Sequence, residues 1–104
     1  MKSFDFKPKK VNKKAKDEFV FELYVSRKSL LDIKTIYNCK AILTHQIKSK
    51  YILEIIDIHE FPELAIKANI IVTPILIRKS PLPETRIIGD LSDMKTVIEE
   101  LFTI

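Results

Sequence analysis

The stretch VTPILIRKSPLPETRIIGDLS, Val72 to Ser92, decides how this chain folds. It holds Pro74, Pro81 and Pro83, three of the five prolines, together with Gly89, the only glycine. Proline fixes φ and glycine frees it, so backbone control is concentrated here. Pro74 cannot donate to a sheet ladder and therefore marks a strand's beginning or an edge. Apolar runs leading through Ile75 to Lys79 and over Thr85 to Ile88 flank a connection, Ser80 to Glu84, punctuated by Pro81 and Pro83. Two strands joined as a hairpin are expected. Gly89 ends the second of them, and Asp90 or Ser92 can cap the helix that follows. Leu91, Met94, Val97, Ile98, Leu101 and Phe102 carry that helix at three- and four-residue steps.

Outward from this stretch, Pro62 fits the first turn of a short helix that Leu64, Ala65 and Ala68 support to about Asn69. YILEIIDI, Tyr51 to Ile58, is rich in β-branched residues and reads as a strand. Before it, Ile33, Ile36, Tyr37, Lys40, Leu43 and Ile47 recur at helical spacing, predicting a helix from about Leu30 to Gln46. Ser29 with Asp32 gives it a start resembling a capping box. Cys39 is expected beside that stripe as a small, half-buried residue. FVFELYV, Phe19 to Val25, has apolar groups on both faces, which predicts a central strand. The 25 residues from Ser26 to Lys50 include a helix, the length a parallel crossover needs. The order is βαβαββα in one domain, residues 18–104, after a lysine-rich tail, residues 1–17.

With 104 residues the chain can bury one modest core. The net charge of +4 is unevenly placed: residues 1–16 carry seven lysines and one acid, and residues 17–104 carry a net −2. The folded part is thus mildly acidic. The segment KPKKVNKKAK could touch phosphates, but it lacks interleaved aromatics and reads as a solvated terminus, so nucleic acid is not the expected partner. Cys39 is the single cysteine, which removes any intramolecular disulfide or CxxC pair and suits a reducing cytoplasm. No apolar run has the length to span a membrane.

The element order, with a Thr-Pro step entering the third strand, looks like the thioredoxin fold. Leu23 to Val25 (LYV), the IDI around Asp57, PELA at Pro62 to Ala65, VTP at Val72 to Pro74, and RIIGDLS at Arg86 to Ser92 together resemble the KaiB family of circadian-clock proteins. The motifs fall in family order over Phe19 to Leu101, and RIIGDLS is the specific one. The resemblance implies a non-enzymatic binding partner of the RecA-type ATPase KaiC, with a thioredoxin-like, binding-competent monomer. It also implies a metamorphic alternative, in which the C-terminal half rearranges and a tetramer forms. By family matching, Glu63, Lys67, Asn69 and Arg86 are the partner-facing residues, and Pro74, Gly89, Asp90 and Ser92 are fold-switch or structural positions. This chain diverges in the loop Ser26 to Leu30, which has no glycine or proline, and in Ile66-Lys67-Ala68-Asn69, where the family is more polar.

Other chemistries lack residues. A thioredoxin-type oxidoreductase needs thiols after the first strand, and Arg27 to Leu31 has none. His45, His59 and Cys39 lie in different elements without zinc-type pairing, so neither metal nor cofactor is expected. Asp90 and Asp93 at a helix start read as capping carboxylates rather than an acid pair. Arg86 reads equally as half of an ion pair with Asp90 or as a contact residue. For Pro74 both isomers stay open, the cis form being plausible for an X-Pro bond held by tertiary context. The competing functional classes are a stand-alone thioredoxin-like adaptor with no KaiC-type partner and a tail-mediated nucleic-acid binder.

Overall fold

The computed structural model describes residues 18–102. The segment read as a lysine-rich tail lies outside the described residues. Seven elements follow the order read from the sequence: β1 (Phe19–Val25), α1 (Leu30–Gln46), β2 (Tyr51–Asp57), α2 (Pro62–Lys67), β3 (Ile75–Ser80), β4 (Thr85–Ile88) and α3 (Met94–Phe102). The strands form one sheet in the order β2-β1-β3-β4. β1 runs parallel to β2, with Phe19 opposite Tyr51 and Val25 opposite Asp57. β3 is antiparallel to β1, and the hairpin partner β4 is antiparallel to β3, with Ile75 opposite Ile88. β1 is therefore central, as its two apolar faces require.

Alternation along the strands splits the core into two layers. On one face Phe21, Leu23, Val25, Leu76 and Ile87 pack with Ile36, Cys39, Ile42 and Leu43 of α1 and with Val97 and Leu101 of α3. On the other, Tyr24, Ile56, Ile75 and Ile77 pack with Phe61, Leu64, Ala68 and Ile70, around the short α2. Full burial of a side chain such as Leu23 is worth roughly 1.5–3 kcal/mol, which makes the first layer the main source of stability.

Several boundaries and faces differ from expectation. In α1 the buried residues are Asp32, Thr35, Ile36, Cys39, Ile42 and Leu43, whereas Tyr37 and Lys40 face outward. The buried stripe is thus rotated from the one that apolar character alone suggests. Polar residues fit on it because their groups are satisfied locally: the Thr35 hydroxyl donates to the Leu31 carbonyl at 2.8 Å. Cys39 is fully buried rather than half-buried. β2 stops at Asp57, although the Ile58 N–H still donates to the Val25 carbonyl. α2 ends at Lys67, two residues short of Asn69. α3 starts at Met94, because Leu91 sits at φ 62°, outside helical space. Its cap is neither Asp90 nor Ser92 but Asp93, whose carboxylate accepts from the Thr96 N–H and hydroxyl. The Thr73–Pro74 bond is cis, which settles the isomer that the sequence left open, and Pro74 precedes the first residue of β3.

Candidate functional site

The surface around α2 and β4 gathers the residues singled out as partner-facing. Six residues make a helix too short to stand alone, so its ends are held by other means. At the C-terminus Asn69 takes φ 57°, a conformation that asparagine tolerates better than most residues. The Asn69 N–H donates to Ile66 and the Ile70 N–H to Ala65, closing the helix end as a Schellman motif with Ile70 packed inward. Arg86 completes this closure from β4: its Nη2 donates to the Ala68 carbonyl at 2.7 Å, placing a cation at the negative end of α2. The other side of the guanidinium meets Glu84, with Nε 3.3 Å from Oε2, while Lys79 Nζ lies 2.7 Å from Oε1. The Lys79 hydrogen bond, with a smaller contribution from Arg86, holds the Glu84 carboxyl below the usual range. The expected Arg86–Asp90 pair is not formed, because Arg86 is directed toward α2 and Glu84 rather than toward the corner after β4.

Glu63, Lys67, Asn69 and Arg86 are all exposed, Glu63 on the first turn of α2 and the other three about its C-terminal end. The same segments expose apolar side chains: Ile66 on α2 is 76% exposed, Ile71 just after it 96%, and Ile88 on β4 65%. Such bare isoleucines beside both signs of charge give a surface suited to protein contact rather than to small-molecule chemistry.

Pro74, Gly89, Asp90 and Ser92 have local structural duties at the opposite end of β4. The Gly89 N–H donates to the Pro74 carbonyl at 3.0 Å, joining the chain before β3 to the end of β4. Gly89 has φ 119°, a region essentially reserved for glycine. Asn38 on α1 donates to the Asp90 carbonyl at 2.9 Å, and Asp90 Oδ1 accepts the Ser92 N–H at 3.0 Å. Hydrogen bonding from Ser92 holds the Asp90 carboxyl below its ordinary value. Leu91 is then buried against α1 and α3. The RIIGDLS motif therefore anchors a corner, while Arg86 and Ile88 within it are exposed on β4.

Where a thioredoxin-type enzyme would hold its thiols, the β1–α1 loop is built on two buried carboxylates. Asp32 accepts the Ser26 N–H at 2.8 Å and Asp57 accepts the His59 N–H at 3.1 Å. Arg27 Nε lies 3.2 Å from the fully buried Asp57. Ser26 Oγ and His59 Nε2 are 2.8 Å apart, which ties this loop to the one after β2. His45 instead contacts its neighbour Gln46, and Cys39 is buried in the core with its thiol pushed up to about 12 by desolvation. The structure brings none of the three together.

Three charged features escaped the sequence reading. Arg78 on β3 is fully buried, donating to the carbonyls of Leu101 and Pro83 and to the Thr85 hydroxyl. Glu22 and Glu54 are register partners on adjacent strands, and Glu54 is 6% exposed with Oε1 lacking a hydrogen-bond partner among the described residues. Burial, then the Glu22 charge, raises the Glu54 carboxyl above its ordinary value. Glu22 and Glu54 each interrupt an apolar run in mid-strand, and that interruption was the available signal, whereas Arg78, followed by Lys79 and Ser80, offered none.

A family model described as the KaiB domain matches residues 22–101. The circadian clock oscillator protein KaiB of Nostoc punctiforme is 36% identical over 85 residues, 82% of each chain. The KaiB of Synechococcus elongatus is 36% identical over 80 residues, 77% of this chain and 78% of that protein. Among solved structures, the N-terminal domain of Synechococcus elongatus SasA superposes with a TM-score of 0.68 at 20% identity, covering 98% of this chain and 96% of that one. The Drosophila thioredoxin Deadhead gives 0.63 at 16% identity, over 85% of both. These structural likenesses establish a thioredoxin-like fold. The matched family model spans all of β2 to β4, the α2 surface and the Gly89 corner, so the chain belongs to the KaiB family.

Proposed function

We propose that this protein is a non-enzymatic regulator that binds a KaiC-like RecA-type ATPase through the surface formed by α2 and β4, in a clock-related or stress-related pathway. Membership of the KaiB family is the observation that carries this reading, since the relatives are named circadian clock oscillator proteins. The surface chemistry supports it. Glu63, Lys67 and Asn69 surround the bare Ile66, and Arg86 stands beside them. Apolar area of this kind supplies binding free energy, and the surrounding charges supply register.

The contact surface is assembled in the thioredoxin-like arrangement, where Arg86 closes the end of α2. Rearrangement of the C-terminal half would remove β4 from this position and with it the contact. Affinity then follows the fraction of chain in the competent fold.

The test is equilibrium binding of the purified chain to a KaiC-type ATPase, with ATP and with ADP. Wild type is expected to bind in at least one nucleotide state, and Ile66→Asp and Lys67→Glu to weaken binding by roughly tenfold each, about 1.4 kcal/mol. No binding in either state, with the thioredoxin-like fold verified by NMR, would leave the stand-alone adaptor as the better reading.

A further inference from the structure

The loop after β1 brings together a hydroxyl and an imidazole that the surface around α2 does not use. Ser26 directly follows β1 and His59 stands two residues beyond β2, and these parallel strands end level, with Val25 opposite Asp57. The chain builds β2 on one side of β1 and β3 on the other, so the connections diverge at this end of the sheet. In α/β sheets such a point is where ligands are received. Ser26 Oγ and His59 Nε2 are 2.8 Å apart. His59 is exposed and Ser26 half-buried, so both can be reached from solvent. Two buried carboxylates hold their backbones: Asp32 Oδ2 accepts the Ser26 N–H at 2.8 Å, and Asp57 Oδ1 accepts the His59 N–H at 3.1 Å.

A serine hydroxyl is a weak nucleophile until a base within hydrogen-bond reach takes its proton. With the ring proton on Nδ1, His59 Nε2 accepts from Ser26 Oγ and is that base. The same loop supplies positive potential for an oxygen that gains charge. The Ser29 N–H donates to the Ser26 carbonyl at 3.0 Å, a turn that folds Ser26 back toward the start of α1, where the first N–H groups have no intrahelical acceptor. Arg27, the next residue, adds an exposed guanidinium. The carboxylates of Asp32 and Asp57, buried against this loop, favour a neutral electrophile over an anionic one, which selects a carbonyl rather than a phosphoryl group. Leu30 and Leu31, at the head of α1, are 88% and 51% exposed and offer apolar surface to an acyl chain.

We propose that Ser26 is a modification site, a nucleophile activated by His59 that takes an apolar acyl group from an ester or thioester. In the step, Ser26 Oγ bonds to the donor's carbonyl carbon while its proton passes to His59 Nε2. The bond from that carbon to the leaving oxygen or sulfur then breaks, and His59 returns the proton to the leaving atom. One reaction per chain suffices, without turnover, and the assignment does not rest on the reading of the α2 and β4 surface. Acylation removes the hydroxyl proton, so the tie between this loop and the one that enters α2 is lost.

Incubation of the full chain with p-nitrophenyl butyrate, followed by peptide mapping in a mass spectrometer, tests this. Butyryl ester on serine is told from butyryl amide on lysine by its release with hydroxylamine. Ser49, an exposed serine between Lys48 and Lys50, is the internal reference for unassisted reaction. Ser26 is expected to be labelled about a hundredfold faster than Ser49, and His59→Gln to slow Ser26 by a similar factor while leaving Ser49 unchanged. Ser26→Ala should remove the hydroxylamine-sensitive label from its peptide. Circular dichroism verifies the fold of both variants, and should His59→Gln fail to fold, the ratio of Ser26 to Ser49 in wild type decides alone. With p-nitrophenyl acetate the preference for Ser26 over Ser49 should shrink, because the shorter chain gains less from Leu30 and Leu31. Labelling of Ser26 no faster than Ser49, or as fast in a folded His59→Gln chain as in wild type, would overturn the proposal. An equal preference with acetate and butyrate would overturn the assignment of an apolar acyl group.

Discussion

Arg78 shows how much one residue can hold. Its guanidinium is buried and, among the described residues, is distributed over two carbonyls and a hydroxyl, joining β3, the proline-rich connection and the last turn of α3. Removing it leaves a cavity and unpaired carbonyls, so Arg78→Ala is expected to cost about 3–5 kcal/mol in urea unfolding. Arg78→Met, which keeps the volume and removes the buried charge, should recover a good part of that loss. Nothing in ILIRKS distinguishes this arginine from an exposed one, because the acceptors that satisfy it come from residues 5, 7 and 23 positions away. Cys39 illustrates the opposite situation. The sequence identified it as a structural thiol, and burial pushes its pKa up to about 12, with Lys40 opposing only weakly. The native protein is expected to resist a thiol reagent at pH 8 and to react at once in denaturant, as a stopped-flow thiol titration would show.

At the level of elements, strand positions were legible because alternation and β-branching are local, whereas helix ends depended on caps that several residues could provide. Asp90, Ser92 and Asp93 are all competent cap residues. Asp93 takes the role because Leu91 adopts left-handed backbone and delays the first helical turn to Met94. Its carboxyl is held below the ordinary value by hydrogen bonds from Thr96, first the hydroxyl and then the backbone N–H. A folded-state carboxyl below its unfolded value contributes stability that is present above the unfolded value, near 3.8, and is lost as pH falls through the folded one. Acid titration by circular dichroism should therefore show part of the helix signal lost below about pH 4, and Asp93→Asn should blunt that acid dependence. In α1, Ser29 caps with its hydroxyl accepting the Asp32 N–H at 3.2 Å, and Ser29→Ala is expected to cost about 1 kcal/mol. The rotated face of α1 was not legible, since a buried aspartate and threonine are identifiable only once their hydrogen-bond partners are in view.

For the whole molecule, the order of seven elements, the parallel β1–β2 pair and the β3–β4 hairpin could all be obtained from spacing and from Pro74 and Gly89. The proposed partner surface could be approached only through family resemblance, because Glu63, Lys67 and Asn69 look like any polar helix residues, and the exposure of Ile66, Ile71 and Ile88 is visible only in the fold. In the thioredoxin-like arrangement the chain is expected to elute as a monomer in size-exclusion chromatography. A tetramer would indicate the rearranged form.

The bond from Arg86 to the Ala68 carbonyl has a consequence for how occupancy of this surface would be felt inside the protein. A carboxylate from a partner would compete with the helix's own last carbonyl for the same guanidinium. Engagement of Arg86 would then be converted into fraying of α2, visible as faster hydrogen exchange at Ala68, Asn69 and Ile70. Arg86→Ala should reproduce that faster exchange with no partner present. With the proposed partner bound, the strand at the sheet edge would act as a reporter wired to the helix, turning an external contact into a change of internal order.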